Sequence, residues 1–257
     1  MPRWLLALLA LGLAGGASAK LPVATATIVK VYPHDPAAFT EGLFFRNGTL
    51  FESTGLEGQS TIREVRLADG KVLRSLTIPP GLFGEGIVDD GKELVSLTWQ
   101  GGQGYRWSLA TFKRTGSWRY RGEGWALTRM PAADGKGQVL VMSDGTASLR
   151  LLDPATLAEK GRLSVTAEGK PVNQLNELEY VRGEILANIW HSDLIARVDP
   201  ATGAVKGFID LSALPRPPLT SSRDGVANGI AWDAKGSRLF VTGKNWPQLY
   251  EIRYDAR

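Results

Sequence analysis

Five short phrases hold the side chains of this 257-residue chain best suited to proton transfer and polar binding: Glu41-Gly42-Leu43, Glu85-Gly86-Ile87, Glu123-Gly124-Trp125, Asn176-Glu177-Leu178 and Asn228-Gly229-Ile230. Each sets a polar side chain, usually followed by glycine, before a strand-like apolar run. Two are near copies in their flanks as well, Phe39-Thr40-Glu41-Gly42 and Phe83-Gly84-Glu85-Gly86. Burial beside phenylalanine disfavours a charged carboxylate and raises its pKa toward neutrality, where it can shuttle protons. A solvated or paired carboxylate stabilising a channel mouth fits the same motif. Trp125 and Trp190, near equivalent strand segments, read either as the walls of an aromatic pocket or as packing between repeats. Asn173, Asn176, Glu177, Asn228, Lys244 and Asn245 make a polar set. Asn176 and Lys244 carry N–H donors that an axial site could use; Lys244, where an apolar strand ends, also reads as a surface lysine.

Other chemistries find no footing. The chain has no cysteine and only two histidines, His34 and His191, too few for a His/Cys zinc centre. No G-x-S-x-G elbow accompanies a histidine. Gly101-Gly102-Gln103-Gly104 lacks the G-x-G-x-x-G spacing of a nucleotide loop.

The phrases recur at roughly 40–50 residues, the period of propeller blades, and a propeller would bring all five to one end of its axis. Hairpin signals surround them. Asn47-Gly48, Asp89-Asp90-Gly91, Arg182-Gly183 and Asp233 to Gly236 each separate two strand-like runs. Outer turns follow, at Asp69-Gly70, Asp153-Pro154 and Asp199-Pro200, where Asp bonds backbone amides and Pro presets φ. Each unit reads as a four-stranded antiparallel blade. The last unit stops short after Leu249 to Ile252, and the strand near Ala24 to Tyr32 supplies its missing edge. The expected fold is an all-β, five-bladed β-propeller whose last blade is closed by the N-terminal strand. Leu211 to Arg223, rich in proline, reads as an irregular surface loop, and no long amphipathic helix is expected.

Residues 1–19 read as a signal peptide: Arg3, an apolar run from Trp4 to Leu13, then Ala17-Ser18-Ala19 before the cleavage point. The run is well short of the ~20 residues needed to span a bilayer. Residues 20–257 then form one propeller domain, exported to the periplasm or secreted, with no stable membrane insertion. A chain this long buries a sufficient core without disulfides. Lys and Arg number 30 against 26 Asp and Glu, but no run of five or six like charges occurs, which argues against a nucleic-acid partner.

Six segments together resemble the plant and bacterial type of glutaminyl-peptide cyclotransferase: Phe39 to Leu43, Glu52 to Ser60, Phe83 to Gly86, Leu175 to Tyr180, Asn228 to Asp233 and Phe240 to Lys244. They run in order through nearly all of the chain after the leader. The resemblance implies a five-bladed propeller that converts N-terminal glutamine of peptides or proteins to pyroglutamate, releasing ammonia. By motif position it makes Glu85 the catalytic acid/base. It assigns substrate binding to Phe39, Glu41, Phe83, Trp125, Asn176, Trp190 and Lys244, with the two indoles as pocket walls. It implies no catalytic metal or other required cofactor, leaving a structural calcium ion in the channel as an option, and we expect a monomer. One departure stands out: the plant pattern has glutamine where this chain has Glu41. Two rival readings are a metal-dependent lactonase-like propeller using Glu41, Asn176, Asn228 and Asp224 as oxygen ligands, and a non-catalytic exported binding propeller.

Overall fold

The computed structural model describes residues 20–215 and 225–255. The leader reading and Asp224 lie outside the described residues, as does most of the loop expected over 211–223. The described start of that loop is not a surface excursion: Leu211 and Leu214 are buried in the core between the fourth and fifth blades.

Five antiparallel sheets are arranged around an axis. From axis to rim, the first blade runs Thr40–Arg46, Thr49–Thr54, Thr61–Arg66 and Val72–Thr77. The second runs Gly84–Asp89, Glu93–Thr98, Gln103–Ser108 and Arg114–Arg119. The third runs Ala126–Pro131, Gln138–Ser143, Ser148–Leu152 and Glu159–Ser164. The fourth runs Leu175–Val181, Glu184–Ile189, Leu194–Val198 and Val205–Asp210. The fifth runs Ala227–Asp233, Arg238–Gly243 and Gln248–Arg253, with Thr27–Pro33 as its outer strand. The innermost strands touch in a closed ring, the fifth packing back on the first.

The sequence pattern follows radial position. The inner strand Gly84–Asp89 is buried throughout, while the outer strands of the first two blades alternate between exposed and half-buried residues. Apolar burial, worth about 25 cal/mol per Å², is concentrated in five clusters, one in each blade–blade interface. Phe44, Ile62 and Leu94 belong to the first–second interface, and Leu43, Ala231 and Phe240 to the fifth–first. The remaining clusters join the second to the third, the third to the fourth and the fourth to the fifth blades.

The N-terminal closure is as expected in kind but is split in two. Thr27–Pro33 completes the fifth blade, whereas Val23–Thr25 pairs in parallel with Val205–Asp210 and adds a fifth strand to the fourth blade. The break falls at Ala26, which is buried and donates its N–H to Asp210 O at 2.9 Å. One short segment thereby covers the outer edge of two adjacent sheets, edges that would otherwise be open to pairing. Among the described residues, no helix is long and apolar enough to cross a membrane.

Candidate active site

The polar phrases are set by a repeated backbone irregularity. Pairing between the first and second strands shifts register between Thr40 and Gly42, Gly84 and Ile87, Leu175 and Leu178, and Ala227 and Ile230. A β-bulge leaves residues out of the ladder and re-aims their side chains. Glu41, Glu85, Asn176 and Asn228 are the residues released. The third blade differs: Ala126–Pro131 pairs regularly, and Glu123-Gly124 precedes the strand. The glycine after each carboxylate answers to inter-blade crowding. A Cβ on Gly42 would lie 2.9 Å from Gly86 Cα, and one on Gly86 would lie 2.4 Å from Ala126 Cα.

A second layer lies at the same end. The residue before each inner strand faces the residue after the second strand of its blade, and in four blades their backbones are bonded. Gly55 N donates to Phe39 O at 2.8 Å, Trp99 N to Phe83 O at 3.0 Å, Trp190 N to Gln174 O at 2.8 Å and Lys244 N to Val226 O at 3.0 Å. The blades are also tied to one another there. Gly86 N donates to Trp125 O at 2.9 Å, Ser143 Oγ to Asn176 O at 2.8 Å, Gly229 N to Asn188 Oδ1 at 3.1 Å and Asn228 Nδ2 to Thr40 O at 2.9 Å.

The result is a polar floor under an aromatic wall. Glu41, Glu85, Asn176, Asn228 and Lys244 are all buried. Lys244 Nζ lies 2.8 Å from Glu41 Oε1 and 4.6 Å from the centre of the Phe39 ring. Asn228 Nδ2 donates to Glu41 Oε2 at 3.2 Å. Asn176 Oδ1 is buried without a hydrogen-bond partner among the described residues. Above them Phe39, Phe83, Trp125 and Trp190 are half-buried. Phe39 meets Phe83 edge to face at 6.1 Å, and Trp125 meets Trp190 in the same way at 5.6 Å. Gly55 leaves room for this wall, since a Cβ there would lie 2.4 Å from the Phe83 ring.

Burial pushes the Glu85 carboxyl well above the usual range, and the charges of Glu41 and Glu123 add to the effect; the Lys244 ammonium opposes it. The floor therefore pairs one carboxylate with a cation and leaves a second, Glu85, as a carboxyl of raised proton affinity. Divergent environments for neighbouring carboxyls are the usual sign of separated acid–base roles.

All eight residues singled out by the family motif lie at this end of the axis: Phe39, Glu41, Phe83, Glu85, Trp125, Asn176, Trp190 and Lys244. From the wider polar set, Asn228 joins them. Glu177 instead spans the axis, accepting Leu43 N at 3.2 Å and Ile230 N at 2.8 Å. Asn173 is exposed, and Asn245 donates outward to Pro36 O at 3.1 Å. Lys244 is buried, not a surface lysine. The wall has two further members, Trp99, which the sequence reading does not single out, and Glu123, which it names only as part of a phrase. Trp99 packs edge to face on Phe83 at 5.8 Å, and Glu123 Oε2 accepts the Nε1–H groups of both Trp99 and Trp125 at 2.9 Å.

A cavity of about 1160 Å³ opens at the opposite end, lined by Arg46, Asp89, Arg129, Glu179 and Trp232 among others. It contains none of the eight residues. Among the described residues, no group of three or more His, Cys, Asp and Glu side chains is placed to hold a metal ion.

The glutamine cyclotransferase family profile matches residues 4–254. A glutaminyl-peptide cyclotransferase of Arabidopsis thaliana is 44% identical over 230 residues, 88% of this chain and 70% of that protein. The crystal structure of Myxococcus xanthus glutaminyl cyclase aligns with a TM-score of 0.84 at 39% identity, covering 92% of this chain and 99% of that one. A match over nearly the whole propeller, in both sequence and structure, places this chain in the glutamine cyclotransferase family.

Proposed function

We propose that this enzyme converts the N-terminal glutaminyl residue of peptides or proteins to pyroglutamate with release of ammonia, and that Glu85 is its acid/base. Family membership supports the reaction. The observation that carries the role of Glu85 is its burial, with raised proton affinity, in the floor of an aromatic-walled cup.

The substrate supplies both nucleophile and electrophile, so the chief task is to fold it into a ring-closing pose. Trp125 and Trp190, meeting at a near right angle of 83°, confine the short side chain and exclude water. The α-amine nitrogen attacks the γ-carboxamide carbon, and the new C–N bond closes a five-membered ring. Glu85 takes the proton released by the amine and returns it to the departing nitrogen as the C–NH₂ bond breaks, so ammonia leaves neutral. An α-amine with a reference pKa of ~7.7–8.0 needs little help to become nucleophilic, which suits a carboxyl whose own pKa is raised.

Negative charge develops on the γ-carbonyl oxygen. Lys244 and Asn176 are the donors we assign to it. Lys244 is anchored by one of its three N–H groups on Glu41, leaving others for the substrate. Asn176 Oδ1, buried and without a hydrogen-bond partner among the described residues, suits an N–H of the substrate. No step in this scheme calls on a metal. The lactonase-like alternative would need Glu41 as an oxygen ligand, yet one of its oxygens already holds the Lys244 ammonium. We further propose that the enzyme acts as a monomer outside the cytoplasm, as the leader over 1–19 suggests.

The test is incubation of the purified protein with a Gln-initiated peptide, with and without chelator, followed by mass spectrometry. Loss of ammonia in both arms is expected. Intact peptide in both arms would refute the reaction, and loss abolished by the chelator would refute the metal-free scheme.

A further inference from the structure

Glu123 takes no part in the proton transfer above, yet it is the junction of the aromatic wall. Its Oε2 accepts Trp99 Nε1–H and Trp125 Nε1–H, each at 2.9 Å, and Oε1 lies 3.5 Å from Gln100 Nε2. An indole has a single donor, so both side chains spend their only hydrogen bond on the same oxygen. Bonds to a carboxylate are the shorter and stronger kind. Trp99 follows the second strand of the second blade, while Trp125 opens the third. The two rings therefore come from different blades and are fastened to each other through one atom.

The wall depends on that atom. Phe39, Phe83 and Trp99 form one run of edge contacts, at 6.1 and 5.8 Å, and Trp125 with Trp190 forms another at 5.6 Å. Glu123 bridges the gap between the runs. The backbone is shaped to hold it there: Gly122 adopts a φ of 74°, and a Cβ on Gly124 would lie 2.9 Å from both the Tyr120 ring and Met142 Cε. Gly124 N also donates to Trp99 O at 3.2 Å. Trp99 is 39% exposed, and its ring is held by the edge contact with Phe83 and the hydrogen bond to Glu123.

We propose that Glu123 is a positioning residue of the cyclotransferase site, clamping the indoles of Trp99 and Trp125 into a single wall against which the glutaminyl side chain is folded. The assignment rests on the cyclotransferase reading. A carboxylate here has a second consequence, because its charge is among those that raise the proton affinity of Glu85.

The experiment compares wild type with Glu123→Gln on a Gln-initiated peptide, recording KM, kcat and the pH profile of kcat/KM, with tryptophan fluorescence and melting temperature alongside. A carboxamide oxygen is a weaker acceptor, and its NH₂ cannot receive an indole proton. KM should rise about tenfold, the loss of roughly one charge-assisted hydrogen bond. The profile limb belonging to Glu85 should move to lower pH, while the substrate amine titrates as before. Tryptophan emission should also shift. A lower melting temperature with unchanged KM, profile and emission would overturn the proposal and leave Glu123 a structural residue only. If Glu123→Gln fails to fold, Trp99→Phe is used instead. It keeps a ring but removes the donor, and an unchanged KM there would likewise overturn the proposal. A wild type that releases no ammonia would instead refute the cyclotransferase reading itself.

Discussion

Lys244 Nζ lies 2.8 Å from Glu41 Oε1, a buried ion pair between residues 203 positions apart in sequence. Glu41 is on the first blade and Lys244 follows the second strand of the last, so the pair forms across the seam where the ring closes. Breaking one side of a buried pair leaves an uncompensated charge, which typically costs about 3–5 kcal/mol. Lys244→Met should therefore lower stability by roughly that amount, as well as removing a proposed carbonyl donor. Denaturant titration checks the first effect; an unchanged midpoint would mean the pair is not formed in solution.

Glu41 also acts at a distance on its neighbour. Its charge is second only to burial in raising the Glu85 carboxyl, and Lys244 opposes it. Glu41→Gln keeps the shape and restores the residue type of the plant pattern, but leaves the Lys244 charge facing Glu85 with less opposition. The pKa of Glu85 should fall, and the corresponding limb of the kcat/KM profile should move to lower pH. A limb that stays in place or moves upward would show that Glu41 and Glu85 are not electrostatically coupled in the working enzyme.

Much of this arrangement was legible because its signals are local. The five phrases, the Asn47-Gly48 hairpin and the Asp-led outer turns are short-range chemistry, and each reappears where expected. Four of the phrases coincide with bulges, which sequence does not announce, because a bulge is a relation between two strands. The N-terminal closure was readable from an unfinished last unit. Its division at Ala26 was not, since a parallel partner at Val205–Asp210 leaves no mark on Val23–Thr25. Trp99 was missed although a signal existed. It is the residue just past the second strand of its blade, the position that Trp190 and Lys244 occupy in theirs. Comparing that position across repeats would have found it. Glu123 belongs to the third phrase, but its role as a double acceptor depends on two side chains from different blades and cannot be read from spacing.

Away from the cup, Glu52 gives the fold a dependence on acid. It is buried, and burial alone would raise its pKa, but His34 and Arg63 hold it down at about 2. His34 Nε2 lies 2.9 Å and Arg63 Nη2 2.6 Å from its oxygens, and Thr40 Oγ1 donates to it at 2.7 Å. In the unfolded chain the same carboxyl titrates near ~4.3. A depressed folded pKa contributes stability that is complete above the unfolded value and is lost as pH falls toward the folded one. Glu52 should thus contribute on the order of 3 kcal/mol at neutral pH, declining between about pH 5 and pH 2. Melting curves of wild type and Glu52→Gln across that window check this. The two should converge toward pH 2, and a constant gap would contradict the assignment.

In the proposed reaction Glu85 moves the proton between the attacking amine and the departing ammonia. The most direct test is the turnover of Glu85→Gln on a Gln-initiated peptide, measured at saturating substrate beside its melting temperature. Loss of general acid–base catalysis is worth about 10²- to 10⁴-fold. A folded variant with kcat reduced by that factor is the result expected. A folded variant that turns over at close to the wild-type rate would remove Glu85 from the chemistry.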